Sequence, residues 1–233
     1  YLRHVARDQA VADANHALFF NAGEGYRVAH PMRGIDANLS LQLEASVLEE
    51  LAPPGLLNKR SVREFRVQHC RIDSLTQARV AWVRHHLGQD TSDPLHVESL
   101  ALELVSLSLG TRTTDTSDAT HGQQRLADRV KVLLAGDVSR RWTLAEIGAE
   151  MGASPVYLTQ VFRRVEGMPL YRYQLRLRLA RALDLLPTRR DLSSLAADLG
   201  FSSHSHFTAV FRQVYGTSPT AFRRMPGSPA SAQ

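Results

Sequence analysis

The chain has 233 residues, of which 43% are hydrophobic and 22% are charged. A usual single domain has about 100–200 residues, so this length predicts two domains. No apolar stretch approaches the ~20 residues that cross a bilayer, and the first residues show no secretory signal pattern, so we expect a cytoplasmic protein with no membrane partner. The one cysteine, Cys70, excludes an internal disulfide and offers no thiolate framework for a metal.

Positive charge is concentrated in the C-terminal part. From residue 121 onward there are 16 Lys or Arg against 8 Asp or Glu, a net charge of +8. Residues 1–120 carry 12 basic and 15 acidic side chains, a net charge of −3. The C-terminal part therefore favours a polyanionic partner such as nucleic acid.

Residues 1–45 alternate short β-forming runs with turn residues. The runs at 16–20 and 38–43 predict strands. The segments at 21–25 and 30–34, which are rich in Gly, Asn or Pro, predict turns.

The pattern becomes helical from Ser46 onward, and longer amphipathic periods predict helices at 74–88 and 94–109. This helix pair favours an antiparallel hairpin or a homodimer seam within 74–109. Residues 111–122 are dominated by Thr, Asp, Ser and Gly, a composition typical of a linker.

An internal repeat dominates the C-terminal part. Leu144, Ile147, Met151 and Gly152 recur 48 residues later as Leu192, Leu195, Leu199 and Gly200. Leu158, Val161, Phe162, Val165 and Gly167 recur 49 residues later as Phe207, Val210, Phe211, Val214 and Gly216. The change of interval indicates one extra residue between the turn glycine and the second helix of the second copy.

Each copy has the pattern of a helix-turn-helix unit. In the first copy Thr143 is placed to cap one helix, Gly152 to supply a left-handed turn, and Ser154 with Pro155 to start the next helix. Residues 200–203 predict the same turn in the second copy. Burying the repeated apolar positions turns the opposite side of each second helix toward solvent.

A stretch at 169–186 without an internal helix breaker separates the two copies and is closed by Pro187. As a helix it would be roughly 27 Å long at 1.5 Å per residue. This length predicts that the two reading helices lie about one DNA turn apart, near 34 Å, and enter successive major grooves.

The stretch 125–224 resembles the DNA-binding domain of AraC/XylS-type transcription regulators. In the separating helix the matching residues are Tyr173, Arg178, Leu179, Ala182, Leu185 and Leu186. In the second copy they are Gly200, Phe201, Ser205, His206, Phe207, Phe211, Arg212, Gly216, Ser218, Pro219, Phe222 and Arg223. The resemblance implies an all-α, seven-helix domain at 123–226 with two helix-turn-helix units that bind double-stranded DNA. We expect a disordered tail at 227–233.

The outward faces of the two second helices supply the candidate DNA contacts. The predicted base-reading residues are Val156, Thr159, Gln160, His204, Ser205 and Thr208. The predicted phosphate contacts are Arg163, Arg164, Arg212 and Gln213. Five further arginines are expected to contact the DNA backbone or to be solvated: Arg125, Arg129, Arg140, Arg141 and Arg178. Ala209 stands where the family often has a basic residue, so we expect the first helix to specify sequence and the second mainly to add affinity.

Residues 18–24 with Tyr26, His30 and Pro31 are similar to the cupin-like sensor domains of this family. The similarity implies an α+β chain whose N-terminal part is a partial β-barrel followed by the helical hairpin. About 45 residues of strand-like sequence are too few for an ordinary barrel of about eight strands. We therefore expect 1–110 to be an incomplete effector-binding and dimerisation domain, with an unidentified small-molecule effector acting on the full-length form.

The histidines His16, His30 and His69 are candidate metal ligands because cupin enzymes hold metals with histidines. They lack the close His-x-His pairing of such sites, so neither a metal nor another cofactor is predicted. No nucleophile elbow, phosphate-binding glycine loop or carboxylate pair is present, and an enzyme is not predicted.

The sequence thus predicts a sequence-specific DNA-binding transcription regulator with RNA polymerase as a further partner. Two alternatives stay open. One is a metal-dependent cupin enzyme with an accessory DNA-binding domain, and the other is a co-regulator that acts through protein contacts.

Overall fold

A computed structural model describes residues 2–5, 8–30, 38–53, 55–58, 61–87, 93–110 and 119–224. Its N-terminal half, up to residue 110, contains the short strands β1 (Leu2–Val5), β2 (Asp8–Val11), β3 (His16–Leu18), β4 (Arg27–Ala29), β5 (Leu57–Asn58), β6 (Ser61–Phe65) and β7 (His69–Arg71). These strands form three antiparallel sheets with the orders β2-β1-β4, β3-β7 and β5-β6.

The partial barrel predicted for this half is not confirmed. Each sheet has only two or three strands, and among the described residues no strand of one sheet pairs with a strand of another. The run at 38–43, which we predicted as a strand, has no regular secondary structure and leads into helix α1 (Ala45–Leu51). Strands of two to five residues offer too short a ladder to continue around a barrel.

The two helices predicted within 74–109 are present as α2 (Ser74–Leu87) and α3 (Pro94–Leu109). Asp93 caps α3 by accepting a hydrogen bond from the Leu95 N–H, and Pro94 occupies the first turn. Arg79 of α2 pairs with Glu103 of α3, a pairing that fits antiparallel helices. Residues 89–92, in the predicted loop, lie outside the described residues.

The C-terminal half contains seven helices between residues 119 and 224, as predicted. They are α4 (His121–Gly136), α5 (Leu144–Met151), α6 (Pro155–Glu166), α7 (Leu170–Leu185), α8 (Leu192–Asp198), α9 (His204–Tyr215) and α10 (Pro219–Arg223). The predicted tail at 227–233 and residues 111–118 of the predicted linker lie outside the described residues.

Two apolar cores lie within this half, and α7 contributes to both. The first core joins α4, α5 and α6 to the start of α7 and includes the buried Leu158 and Phe162. The second joins the end of α7 to α8, α9 and α10 and includes the buried Phe207 and Phe211. Full burial of such a side chain stabilises the fold by about 1.5–3 kcal/mol. Each helix-turn-helix unit therefore has a stabilising core of its own, and the two units share α7.

The N-terminal half packs against the C-terminal half on both units. Strand β2 contacts α4 of the first unit, and α2 contacts α7 and α9. Arg84 of α2 forms an ion pair of 2.7 Å with Asp184 of α7, and Arg176 donates a 2.7 Å hydrogen bond to the Ile72 carbonyl. None of the helices described is both long enough and apolar enough to span a membrane.

Candidate nucleic-acid interface

The first helix-turn-helix unit consists of α5, the turn at 152–154 and α6. Thr143 and Glu146 form a capping box at the start of α5, in which each side chain accepts a hydrogen bond from the other residue's backbone N–H. The pKa of Glu146 is lowered to about 2. The largest cause is the hydrogen bond from the Thr143 backbone N–H, followed by those from the Thr143 hydroxyl and from Arg140. The carboxylate therefore stays ionised beside the positive end of the helix dipole.

The turn and the start of α6 follow the sequence prediction. Gly152 has a φ of +66°, and Ser154 caps α6 by accepting a hydrogen bond from the Tyr157 N–H. Pro155 occupies the first turn of α6, where its missing N–H costs nothing.

The second unit repeats this geometry with one extra residue. Asp191 caps α8, and Ser203 caps α9 by accepting a hydrogen bond from the His206 N–H. Gly200 has a φ of +78°, and a Cβ on it would lie 2.1 Å from the Ser139 carbonyl oxygen. Only glycine fits this turn, because both the left-handed conformation and the close approach exclude a side chain.

The predicted DNA-reading residues lie on the solvent side of α6 and α9. On α6, Val156 is 68% exposed, and Gln160, Arg163 and Arg164 are exposed. On α9 the exposed residues are His204, Ser205, Arg212 and Gln213. Thr159 and Thr208 are partly buried. In the part of the chain that the structure describes, both reading faces are therefore open to solvent.

A cleft of about 350 Å³ lies beside the reading face of α6. Its apolar wall includes Trp142, Leu144 and Tyr171, and its rim includes Gln160 and Arg163. The reading face of α6 therefore continues into an apolar surface at the start of α5 and α7.

Arg178 of α7 joins the two units, and this changes our expectation that it is solvated or contacts DNA. Its guanidinium donates hydrogen bonds to the carbonyls of Val138 at 2.7 Å, Ser139 at 3.3 Å and Arg140 at 2.9 Å, all in the loop between α4 and α5. It also donates to the Gly200 carbonyl at 3.2 Å, in the turn of the second unit. One side chain thus ties the first unit to the turn that orients the second.

Three other arginines of that group also contact the protein, and one of them, Arg140, donates to the Glu146 carboxylate at 3.2 Å. Arg141 Nε donates to the Gly200 carbonyl at 3.2 Å, and Arg129 donates to the last carbonyls of α5, those of Glu150 and Met151. Sequence reasoning missed these structural roles because the carbonyl acceptors are far away in the chain or in a loop, where no periodicity marks them.

The histidines considered as metal ligands do not form a metal site in the described part of the chain. His16 and His69 lie together, with ring centroids 5.4 Å apart, whereas His30 is exposed. No group of three His, Cys, Asp or Glu side chains among the described residues is arranged to hold a metal ion.

Comparisons with known proteins identify the C-terminal half. The family described as "Helix-turn-helix domain" matches residues 147–225, which cover part of α5 and all of α6 to α10. A structure of an AraC-type DNA-binding domain-containing transcriptional regulator from Chromobacterium violaceum is 24% identical, with a TM-score of 0.42, and the match covers 46% of this chain and 98% of that one.

Two curated relatives are transcription regulators by name. The HTH-type transcriptional activator RhaR of Klebsiella pneumoniae is 28% identical over 162 residues, which are 67% of this chain and 58% of RhaR. The HTH-type transcriptional regulator GadX of Escherichia coli is 27% identical over 185 residues, which are 79% of this chain and 67% of GadX. The chain thus spans little more than half the length of RhaR.

Proposed function

We propose that this chain, whose residues 147–225 match the helix-turn-helix family and whose relatives are named transcription regulators, binds specific duplex DNA through α6 and α9 and thereby regulates transcription. The main support for the proposal is the pair of capped helix-turn-helix units. Both of their reading faces are exposed, and the two units share one helix, α7. With 16 residues, α7 is about 24 Å long, which suits two reading helices in successive major grooves near 34 Å apart.

The two reading helices are proposed to contribute differently. Gln160 on α6 has a long amide that can make a two-point contact with adenine, whereas Ala209 stands at the equivalent position of α9 and offers at most an apolar contact to a thymine methyl. Thr159, Val156 and the residues at the start of α9, namely His204, Ser205 and Thr208, are the other proposed base contacts. Arg163, Arg164, Arg212 and Gln213 are proposed to hold phosphates.

We test DNA binding by measuring the affinity of the full chain for a duplex as the salt concentration rises. Lys and Arg side chains that contact phosphates release counterions, so four contacts predict a log–log slope of about −3.6. Arg164→Gln should reduce the slope by about 1, while Arg79→Gln on α2 should leave it unchanged. A slope near zero for the unmodified chain would contradict the proposal.

For the N-terminal half we propose the role of an incomplete effector-binding and dimerisation domain, residues 1–110. The separate sheets and the helix pair α2 and α3 provide the second folded part that this role needs. We propose three partners for the protein: a small-molecule effector, RNA polymerase and a second copy docked through 74–109. The proposed compartment is the cytoplasm. The proposed role of the chain is binding, and no catalytic role is proposed.

A further inference from the structure

A buried cluster of charged side chains joins the two halves of the molecule. Asp13 and His16 come from the N-terminal half, and Lys131 of α4, Glu166 of α6 and Tyr173 of α7 come from the C-terminal half. The side chains of His16, Lys131 and Glu166 are 1%, 0% and 3% exposed. Charges buried this deeply are costly unless they are paired, so the arrangement requires all of its members.

Lys131 lies at the centre of the contact and uses its three N–H groups on both halves. Its Nζ donates to the Val11 carbonyl at 2.9 Å and contacts Asp128 Oδ1 at 2.8 Å and Glu166 Oε1 at 3.1 Å. The ammonium therefore ties strand β2 to α4 and to the last residue of α6.

His16 bridges the remaining carboxylates. Its Nδ1 lies 3.1 Å from Asp13 Oδ1, and its Nε2 lies 3.6 Å from Glu166 Oε2. The Tyr173 hydroxyl donates to the other oxygen of Asp13. Both contacts lie within ion-pair distance, so a protonated imidazole places its positive charge between two buried carboxylates.

The charge balance of the cluster agrees with a protonated His16. Burial and Lys131 oppose the charged imidazole, but the hydrogen bonds and charges of Asp13 and Glu166 outweigh them and raise the pKa of His16. Burial alone would raise the pKa of Glu166, yet His16 and Lys131 hold it at about 2. Burial, followed by the charge on His16, lowers the pKa of His69 to about 3, so that ring stays neutral.

The charged groups around His16 come from several packed elements of the described part of the chain. Three carboxylates, Asp13, Asp128 and Glu166, face two cations, Lys131 and protonated His16, which leaves one negative charge in excess. Burial keeps Tyr173 neutral by raising its pKa well above the ordinary value. Arg71 of β7 is the further cation that acts on His69.

This cluster holds the C-terminal end of the first reading helix. Glu166 is the last residue of α6, whose reading residues Gln160 and Arg163 lie within two turns of it. The next residue, Gly167, has a φ of +63° and approaches the Arg71 guanidinium so closely that a Cβ would lie 2.5 Å from Nη1. The N-terminal half thus contacts the back and end of α6 while its reading face stays open.

We propose that Asp13 and His16 are positioning residues for DNA binding, which fix the first reading helix α6 by holding Glu166 through the buried cluster. The inference rests on the proposed function of α6, and adds that the N-terminal half takes part in DNA recognition without touching DNA. Protonation of His16 matters to this arrangement because a neutral ring leaves the three carboxylates of the described cluster with Lys131 as its one cation.

The test uses the full chain and a duplex that the unmodified chain selects from a pool of random sequences. His16→Gln removes one cation of the cluster, Glu166→Gln removes one anion, and the double variant restores the original net charge. His96→Gln, at an exposed histidine of α3, is the matched control. Affinity for the selected duplex and for an unrelated duplex is measured, together with amide hydrogen exchange in residues 155–167.

We expect each single variant to bind the selected duplex about tenfold more weakly, a coupling of ordinary size for residues in one network, while the double variant recovers most of the loss. Amide exchange at the end of α6 should rise in the singles, and affinity for the unrelated duplex should change less than about twofold because the phosphate contacts remain. The pKa of His16 is raised above its ordinary value of 6.5, and only the protonated ring stabilises the contact with Glu166. The affinity of the unmodified chain should therefore fall as the pH rises above 6.5. The affinity of His16→Gln should not depend on pH in this way.

The proposal is overturned if His16→Gln matches His96→Gln in affinity and exchange, or if the double variant is no better than the worse single. If both singles fail to fold, a folded double that binds the selected duplex supports it. If the unmodified chain enriches no sequence from the pool, the proposed function is overturned as well. If the chain binds its selected duplex and His16→Gln binds it equally well, only the positioning role is overturned.

Discussion

Replacing Arg178 by methionine removes a guanidinium that bonds to both helix-turn-helix units. Arg178→Met keeps an unbranched apolar stem on α7 but donates nothing to the carbonyls of residues 138–140 or to that of Gly200. A hydrogen bond from a charged group contributes about 1.5–3 kcal/mol. Arg178 is partly exposed and water can replace some of its bonds, so we expect a loss of about 2–4 kcal/mol in the free energy of unfolding rather than the sum of four bonds.

The loss is measured by urea unfolding of the full chain, followed by circular dichroism at constant pH and salt. Arg181→Met is the control, because Arg181 lies on the same helix, is 42% exposed and makes only a 3.8 Å contact with Asp184. A surface pair of this kind is worth about 0–1 kcal/mol. If Arg178→Met unfolds within about 0.5 kcal/mol of Arg181→Met, the guanidinium does not join the units as argued.

Two further predictions concern base reading and pH. Gln160→Ala should flatten the base preference at one position of the first half-site, with a loss of about 1–3 kcal/mol of discrimination between bases. Thr208→Ala should lose less discrimination. Both losses are measured by binding to a library of duplexes with single-base changes. Because the pKa of His69 falls from 6.5 to about 3, the unfolded chain binds a proton that the folded chain does not, and stability should decline as the pH drops from 6.5. His69→Phe should flatten this decline between pH 5 and pH 6.5 in urea titrations.

Each of these has a clear contrary result. A larger loss of base preference for Thr208→Ala than for Gln160→Ala would mean that the second helix reads the sequence and the first adds affinity. An identical acid decline in His69→Phe and the unmodified chain would mean that His69 does not titrate across that range on unfolding.

The helical part of the fold could be predicted because its determinants are local. Thr143, Gly152, Ser154 and Ser203 act on the backbone within a few residues, and the structure confirms each as a cap or turn. Apolar spacing located α6 and α9, since burial of one face needs only the 3.6-residue period. The bounds predicted for α7 differ from the observed ones by one residue at each end.

The sheets and the contact between the halves could not be predicted because they depend on distant pairings. Strand β3 pairs with β7, more than 50 residues later, and the run at 38–43 has β-forming residues but no partner strand among those described. Lysine is among the residue types that are most often exposed, yet Lys131 is fully buried and contacts Val11 and Glu166. The β-propensity of a segment and the usual exposure of a residue type are weak guides where distant tertiary contacts determine pairing and burial.

Hydroxyl-radical footprinting of the full chain on its selected duplex tests whether the two helix-turn-helix units read successive major grooves from one face. We expect two protected patches whose centres lie about 10 base pairs apart, one helical turn, on the same face of the DNA. A single protected patch, or two patches on opposite faces, would contradict it.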